Sequence, residues 1–273
     1  MSGSVAPGMS LVTFNTDPVI LITLMVLITV GGLGFFVWEE VATVRRFRKY
    51  SVYTKLVLSM SAALLLAGAG VFLLTEWNNP ETLGTMPAGQ KILNAFFQSV
   101  TMRTAGFFSF DQGGLTDTGK ALSVIWMLIG GSSGSTAGGM KTVTVLVLLL
   151  FLWNSARGRK TIHVFRKSVP EEKVINAMTI TTVMIGLTFL GAILVTGTSA
   201  VGFLDALFES ASALATVGIT TGITTELSVF SKLLIVLFMY FGRVGVLTIS
   251  LGFLMGDEAK ERFRYASTNL LIG

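Results

Sequence analysis

The sequence predicts an all-α integral membrane protein assembled from tandem repeats, two of them complete and a third represented by its last helix. Three observations carry that reading. Apolar residues make up 52% of the 273-residue chain against 13% charged, with a mean hydropathy of +0.74; a soluble domain carries about twice that charge. The apolar residues gather in runs long enough to cross a bilayer, roughly 20 residues each. Two stretches of chain also repeat the same order of segments at the same spacing.

Charge-poor runs at 18–38, 53–75, 119–152, 173–196 and 229–255 are the expected spans. Two shorter apolar segments, 91–103 and 203–215, are too short to cross. The first span opens at Asp17-Pro18, an N-cap candidate followed by proline at the first helical position. The third is too long for one straight helix. The 36 residues between Lys120 and Arg157 would measure about 54 Å, against a hydrocarbon core of about 30 Å. Gly130, Gly131, Gly134, Gly138 and Gly139 each lower helix stability by about 1 kcal/mol relative to alanine. Ser132, Ser133, Ser135 and Thr136 offer side-chain partners for the backbone groups that a break would free. A broken helix is expected, its loop ending at Lys141.

The basic residues sort by side. Arg45, Arg46, Arg48, Lys49 and Lys55 follow the first span, Arg157 to Lys173 the third, and Lys260, Arg262 and Arg264 the last. The other connections hold mainly acidic residues. By the positive-inside rule the basic segments are cytoplasmic, the N-terminus faces out and the C-terminus faces in. The net charge of +5 is thereby explained by topology, and no nucleic-acid partner is expected. "MSGSVAPGMSLVTFNTD" has neither a charged leader nor an apolar centre, so no secretory signal is expected. The absence of cysteine excludes disulfides and thiol chemistry. The single histidine, His163, lies among basic residues and reads as a solvated loop residue.

The repeated stretches are "NAFFQSVTMRTAGFFSFDQGG…IWMLIGG" and "DALFESASALATVGITTGITT…LFMYFGR". Each gives a short helix, a Thr-x-Gly tripeptide, a polar loop and a spanning helix. Gly106 to Gly130 and Gly218 to Gly242 are both 24 residues apart, which argues for duplication of one unit. "TVGGLGF" in the first span resembles the closing helix of a further copy, since Gly31–Gly34 and Gly242–Gly245 both read G-x-x-G. The short helix and tripeptide of that copy are not recognisable, unless "SVAPGMS" is their remnant. The chain therefore divides into 1–50, 51–172 and 173–273.

A short helix that enters the membrane and returns through Thr104-Ala105-Gly106-Phe107 or Thr216-Val217-Gly218-Ile219 leaves carbonyls unpaired at membrane depth. Such backbone is tolerated only where protein buries it or water solvates it. In that position carbonyls can replace the hydration shell of a cation. Glycine permits the backbone angles that aim successive oxygens one way, and the negative ends of the short helices would face the ion. The competing reading is a re-entrant turn that only packs helices.

Two cations at depth, Lys141 and Arg243, have no carboxylate nearby in sequence and are expected to face an internal cavity or pair internally. Arg243, one residue after Gly242, falls level with Gly131. It is expected to donate to the carbonyls or hydroxyls of the broken helix, either as part of a gate or as a structural anchor. Arg103 is expected to point away from Thr104 and brace against Glu209 or Asp111, with Glu209 matching Gln98 of the other copy. "GSTAGGMKT" is not a phosphate-binding loop, because Met140 separates Gly139 from Lys141 and no strand precedes it. A membrane-embedded enzyme is disfavoured as well: there is no paired acidic motif, and Lys141 has no general-base partner.

The segments "FFQSVTMRTAGF", "GGSSGSTAGGMKT", "LATVGITTGIT" and "FGRVGVLT" together resemble the third and fourth repeats of the Ktr/Trk/HKT potassium transporters, closest to the Ktr-type membrane subunit. The resemblance runs from about Asp17 to Gly273, the C-terminal part of a family member. It implies four helix–pore loop–helix repeats around one pore in the cytoplasmic membrane. Gly106 and Gly218 would be filter residues, with Thr104, Ala105, Phe107, Thr216, Val217 and Ile219 lending carbonyls to K⁺, the only metal implied. It also implies a gate formed by the Gly/Ser-rich loop 130–141, with sodium as a coupling or activating ion and no covalent cofactor. Family members work as homodimers seated on a cytosolic nucleotide-binding ring of the RCK/KTN type, for which the basic loop 157–173 is a candidate docking surface. "GDEAKERFRYASTNLLIG" resembles the family's native ending. The chain departs from the pattern in carrying two complete repeats, and two loops cannot surround an ion. Potassium uptake is the leading expectation; the alternative is a non-functional fragment or structural membrane subunit needing other chains to complete the pore.

Overall fold

The computed structural model describes residues 10–159, 162–164 and 167–244. Nine α-helices are found there: α1 Pro18–Leu33, α2 Phe35–Val44, α3 Val52–Glu76, α4 Ala88–Thr101, α5 Asp117–Leu128, α6 Thr142–Ala156, α7 Glu171–Thr198, α8 Phe203–Leu214 and α9 Val229–Val244. The two-residue strands β1 (His163–Val164) and β2 (Lys167–Ser168) form a small antiparallel pair between α6 and α7. Gly245, the end of the expected last span and the tail with Lys260, Arg262 and Arg264 lie outside the described residues, as do most of "SVAPGMS", Lys160, Arg166 and the side chain of His163.

Local chemistry sets the helix starts. Asp17 Oδ1 accepts from Val19 N at 2.9 Å and Ile20 N at 3.3 Å, with Pro18 at the first helical position. Ser51 Oγ caps α3 by accepting from Thr54 N at 3.2 Å, and Thr116 Oγ1 caps α5 by accepting from Gly119 N at 3.0 Å. Among the described residues, α3 and α7 are the two helices long and apolar enough to cross a membrane alone. Their exposed surfaces are apolar, as at Leu66, Leu74, Phe189 and Ile193, as lipid contact requires.

The expected first span, 18–38, is not one straight helix. It breaks at Gly34, whose φ of +80° ends the helical ladder, and α2 leaves at 96° to α1. A Cβ at Gly34 would stand 2.7 Å from Ser133 O, so the bend exists to admit another part of the chain. The third span divides as its length demands, into α5 and α6 separated by residues 129–141.

The two short helices pack against the longer ones. At 14 and 12 residues, α4 and α8 measure about 21 and 18 Å, short of the hydrocarbon thickness. α8 is buried along Ala206–Leu214 among α5, α7 and α9, while α4 lies against α1 and α3. Phe72, Met102, Met127, Met184, Phe208, Leu214 and Phe238 belong to one continuous core joining both halves. Two polar contacts pin the end of the molecule where α3 finishes and α5 and α8 begin. Lys120 pairs with Asp205 at 2.8 Å, tying α5 to the first turn of α8. Glu76, fully buried, accepts from Thr116 Oγ1 at 2.6 Å, Asn79 Nδ2 at 2.7 Å and Thr82 Oγ1 at 2.8 Å.

Candidate functional site: paired loops against a broken helix

The tripeptides after α4 and α8 share one backbone conformation. Thr104 and Thr216 have φ of +68° and +56°, and Gly106 and Gly218 have +82° and +86°. A β-branched residue in the left-handed region is an outlier that persists only where the surroundings impose it. The imposing contacts correspond. Thr101 Oγ1 accepts from Phe107 N at 3.2 Å, and Ser212 Oγ accepts from Ile219 N at 3.0 Å. Ala105 N reaches back to Thr101 O at 3.2 Å, and Val217 N to Ser212 O at 2.8 Å. A second tie follows six residues after each glycine: Gln98 Nε2 donates to Gln112 Oε1 at 2.6 Å, and Thr224 Oγ1 donates to Glu209 Oε1.

The result is oxygen without partners. Among the described residues no donor reaches the carbonyls of Thr104, Ala105, Gly106, Thr216, Val217, Gly218 or Ile219. Phe107 differs, because its carbonyl accepts from Thr101 Oγ1. The loops also meet. A Cβ on Gly106 would be 2.9 Å from Val217 O and 3.7 Å from Gly218 O, and one on Gly218 would be 3.6 Å from Gly106 Cα. Two glycines 112 positions apart thus bring partnerless oxygens to one place.

Directly against this place lies the broken helix. Its ends are zipped together by Met140 N to Leu128 O at 2.9 Å, Gly130 N to Met140 O at 2.9 Å and Thr142 N to Gly131 O at 3.0 Å. Between them the chain loops out, turning at Gly134 (φ +78°) and Gly139 (φ +67°). Gly138 abuts the base of the second tripeptide: a Cβ there would fall 2.1 Å from Thr216 Oγ1 and 2.8 Å from Ala215 O. Both expected cations hold the loop by its carbonyls. Arg243 Nη1 donates to Thr136 O at 2.8 Å, and Lys141 Nζ to Ala137 O at 2.7 Å. Both line a cavity of about 530 Å³ with Gly138, Met184 and Leu214.

The opposite side of the loop rests on the α1–α2 break, a contact that no sequence pattern signals. Ser132 N donates to Gly32 O at 2.9 Å, and Ser132 Oγ donates to Leu33 O, satisfying carbonyls the bend released. Phe35 N donates to Gly134 O at 3.2 Å, and Tyr53 Oη to Ser133 O at 3.1 Å. Ser135 Oγ closes the turn on Ser132 O at 2.6 Å. Residues near the N-terminus join the first tripeptide as well, through Leu11 N to Phe108 O at 3.0 Å and Phe108 N to Ser10 Oγ at 3.1 Å.

The brace expected of Arg103 is absent. Among the described residues its side chain forms no ion pair; Glu209 Oε1 accepts from Thr224 Oγ1 and Asp111 Oδ1 from Gly113 N. Arg103 follows Met102, the C-cap of α4, and both its Nε and Glu209 Oε2 are buried without a hydrogen-bond partner among the described residues.

Long apolar helices packed with two that are too short to cross, whose following loops touch, define a helical membrane protein. The chain belongs to the TrkH cation transport protein family, whose model matches residues 3–263; this is a family of transporters rather than enzymes. It is 34% identical over 271 residues to the potassium/sodium uptake protein NtpJ of Enterococcus hirae, covering 97% of this chain and 60% of that one. It is 36% identical over 255 residues to the Ktr system potassium uptake protein B of Bacillus subtilis, covering 93% and 57%. The crystal structure of the potassium transporter TrkH from Vibrio parahaemolyticus superposes with a TM-score of 0.68 at 21% identity, over 90% of this chain and 54% of that one. That likeness establishes the all-helical fold. The chain spans about 60% of the length of the curated relatives it matches.

Proposed function

We propose that this chain forms part of a pathway for potassium uptake across the cytoplasmic membrane, with Thr104–Gly106 and Thr216–Ile219 as two segments of a carbonyl-lined selectivity filter. The observation that carries the reading is the contact of two loops of matching conformation whose oxygens have no donors. Each peptide oxygen can replace one water of a dehydrated cation without a change of protonation. Two segments cover part of a ring, so the pore is completed by further repeats, from a longer protein or from other chains. The relatives' names, one of them for potassium and sodium together, support a monovalent alkali cation. Sodium would act as a coupling or activating ion.

The loop 130–141 is the gate. It lies across the base of the filter at Gly138 and is held there by Arg243 and Lys141, whose charges oppose cation passage. Tandem repetition of one helix–loop–helix unit accounts for the shared conformation of the two filters. The basic segments face the cytoplasm, where a homodimer would dock on a nucleotide-binding ring. The partial length favours a second reading, a membrane subunit inactive until other chains supply the missing loops.

The test is growth of a bacterium lacking potassium uptake at limiting potassium, with rubidium influx as the quantitative measure. The chain, or the complete transporter containing it, should restore growth, and Gly218→Ala should abolish the rescue while the protein remains in the membrane. Undiminished rubidium influx in Gly218→Ala would overturn the filter assignment. Rescue only on co-expression with a further subunit would select the second reading.

A further inference from the structure

The bend at Gly34 has a consequence for the surface. α2 leaves α1 at 96°, so an α1 that runs along the membrane normal sets α2 parallel to the membrane plane, and the basic residues that follow it put that plane at the cytoplasmic interface. Its exposed residues suit that plane. Phe35, Phe36, Trp38 and Phe47 are 60, 53, 38 and 54% exposed, and aromatic rings favour the level of the lipid headgroups. Arg45, Arg46, Arg48 and Lys49 are also exposed, and among the described residues none of them pairs with a carboxylate. The acids on the same segment are Glu39, exposed, and Glu40, which accepts from Ser51 N, Ser51 Oγ and Thr54 Oγ1. Four cations against two carboxylates leave residues 35–49 with a net charge of +2.

The same segment begins at the loop. Phe35 N holds Gly134 O, and a Cβ on Gly134 would fall 2.9 Å from Phe36 Cδ2 and 3.0 Å from Phe35 Cε1. The far end of α2 is fastened by Glu40 to the cap of α3, and α3 carries Tyr53, which also holds the loop.

We propose that Phe35–Lys49 is a binding surface for anionic phospholipid headgroups of the cytoplasmic leaflet, and that its occupancy fixes the elbow on which loop 130–139 rests. The lipid surface rests on the orientation assigned above, and its effect on the loop on the gating reading. Rings seated at the acyl boundary beside cations at phosphate level match a lipid surface. A soluble acidic partner would match only the cations.

The chain has no cysteine, so a single Ser133→Cys reports loop exposure through its rate of reaction with a thiol reagent. The full chain carrying that reporter is placed in vesicles of phosphatidylcholine, with or without phosphatidylglycerol. Phosphatidylglycerol should raise the thermal unfolding midpoint and slow labelling. Glutamine at positions 45, 46, 48 and 49 should remove both effects, with roughly a fivefold loss of apparent phosphatidylglycerol affinity for each charge removed. Tyr53→Phe should keep the thermal shift and lose the labelling difference.

No phosphatidylglycerol effect, or an effect that survives the glutamine substitutions, overturns the proposal. So does its reproduction in phosphatidylcholine vesicles by glycerol phosphate or an acidic peptide, which would mark a soluble ligand. If the glutamine variant fails to fold, the unmodified surface is read at about 1 M salt, where the screening length is roughly 3 Å; a phosphatidylglycerol effect undiminished there is equally fatal. Neither readout depends on ion flux, so failure of the pore reading leaves the lipid result separately legible.

Discussion

Thr104 and Thr216 hold φ angles that threonine avoids, and each is followed two residues later by a glycine in the same region. Left-handed backbone costs about 1–2 kcal/mol for a residue with a Cβ. Gly106→Ala adds that cost to a Cβ 2.9 Å from Val217 O, so rubidium influx should fall to background and the unfolding midpoint should drop. Arg243→Gln keeps one donor for Thr136 O but removes the charge. Cation flux should rise in the complete transporter, and unchanged flux would leave Arg243 a structural anchor. Glu76→Ala should destabilise by about 3 kcal/mol, since each buried donor it strands costs roughly 1–3 kcal/mol; Glu76→Gln, which retains an acceptor, should cost less in the same thermal denaturation assay.

At the scale of elements, the broken helix sits between two supports. Arg243 and the base of the second tripeptide hold one side, while Ser132, Phe35 and Tyr53 hold the other. Deleting residues 131–139 should increase flux more than Arg243→Gln does, because it removes the obstruction as well as the charge, and paired rubidium influx measurements would rank them. Sequence made part of this legible. The cap at Asp17-Pro18 depends on neighbouring residues and reads directly. The division of 119–152 follows from length against bilayer thickness, and the matching backbone of the two Thr-x-Gly tripeptides follows from their equal spacing to Gly130 and Gly242. The elbow at Gly34 does not read, because a glycine in an apolar run looks the same in a straight helix as in a bent one. What crowds the place of a Cβ there is Ser132, Ser133 and Gly134, about a hundred positions along the chain. Tyr53 in an apolar helix gives no sign that its hydroxyl meets Ser133 O 80 residues later. Arg103 misled because complementary charge in a sequence does not say which carboxylates come within reach, and among the described residues none does.

Across the whole molecule, the two halves are joined by a shared core and by Lys120–Asp205, whose side chains are 12 and 26% exposed. Lys120→Met should lower stability by about 1.5–3 kcal/mol and loosen α5 from α8, seen as faster backbone exchange in α8. Family membership was legible from motifs in combination. The contact between the two tripeptide loops was not, since no local pattern says which separated loops will touch.

The burial of α8 bears on how the protein is made. Twelve residues holding Asp205 and Glu209 are a poor signal for insertion into lipid on their own. Yet α8 leaves the ribosome before α9, one of the three walls that enclose it. It must therefore wait, half sheltered by α5 and α7, until synthesis of α9 closes the chamber. Chains stalled between those two events would show the quality-control machinery a loose polar hairpin, and assembly would be most vulnerable there.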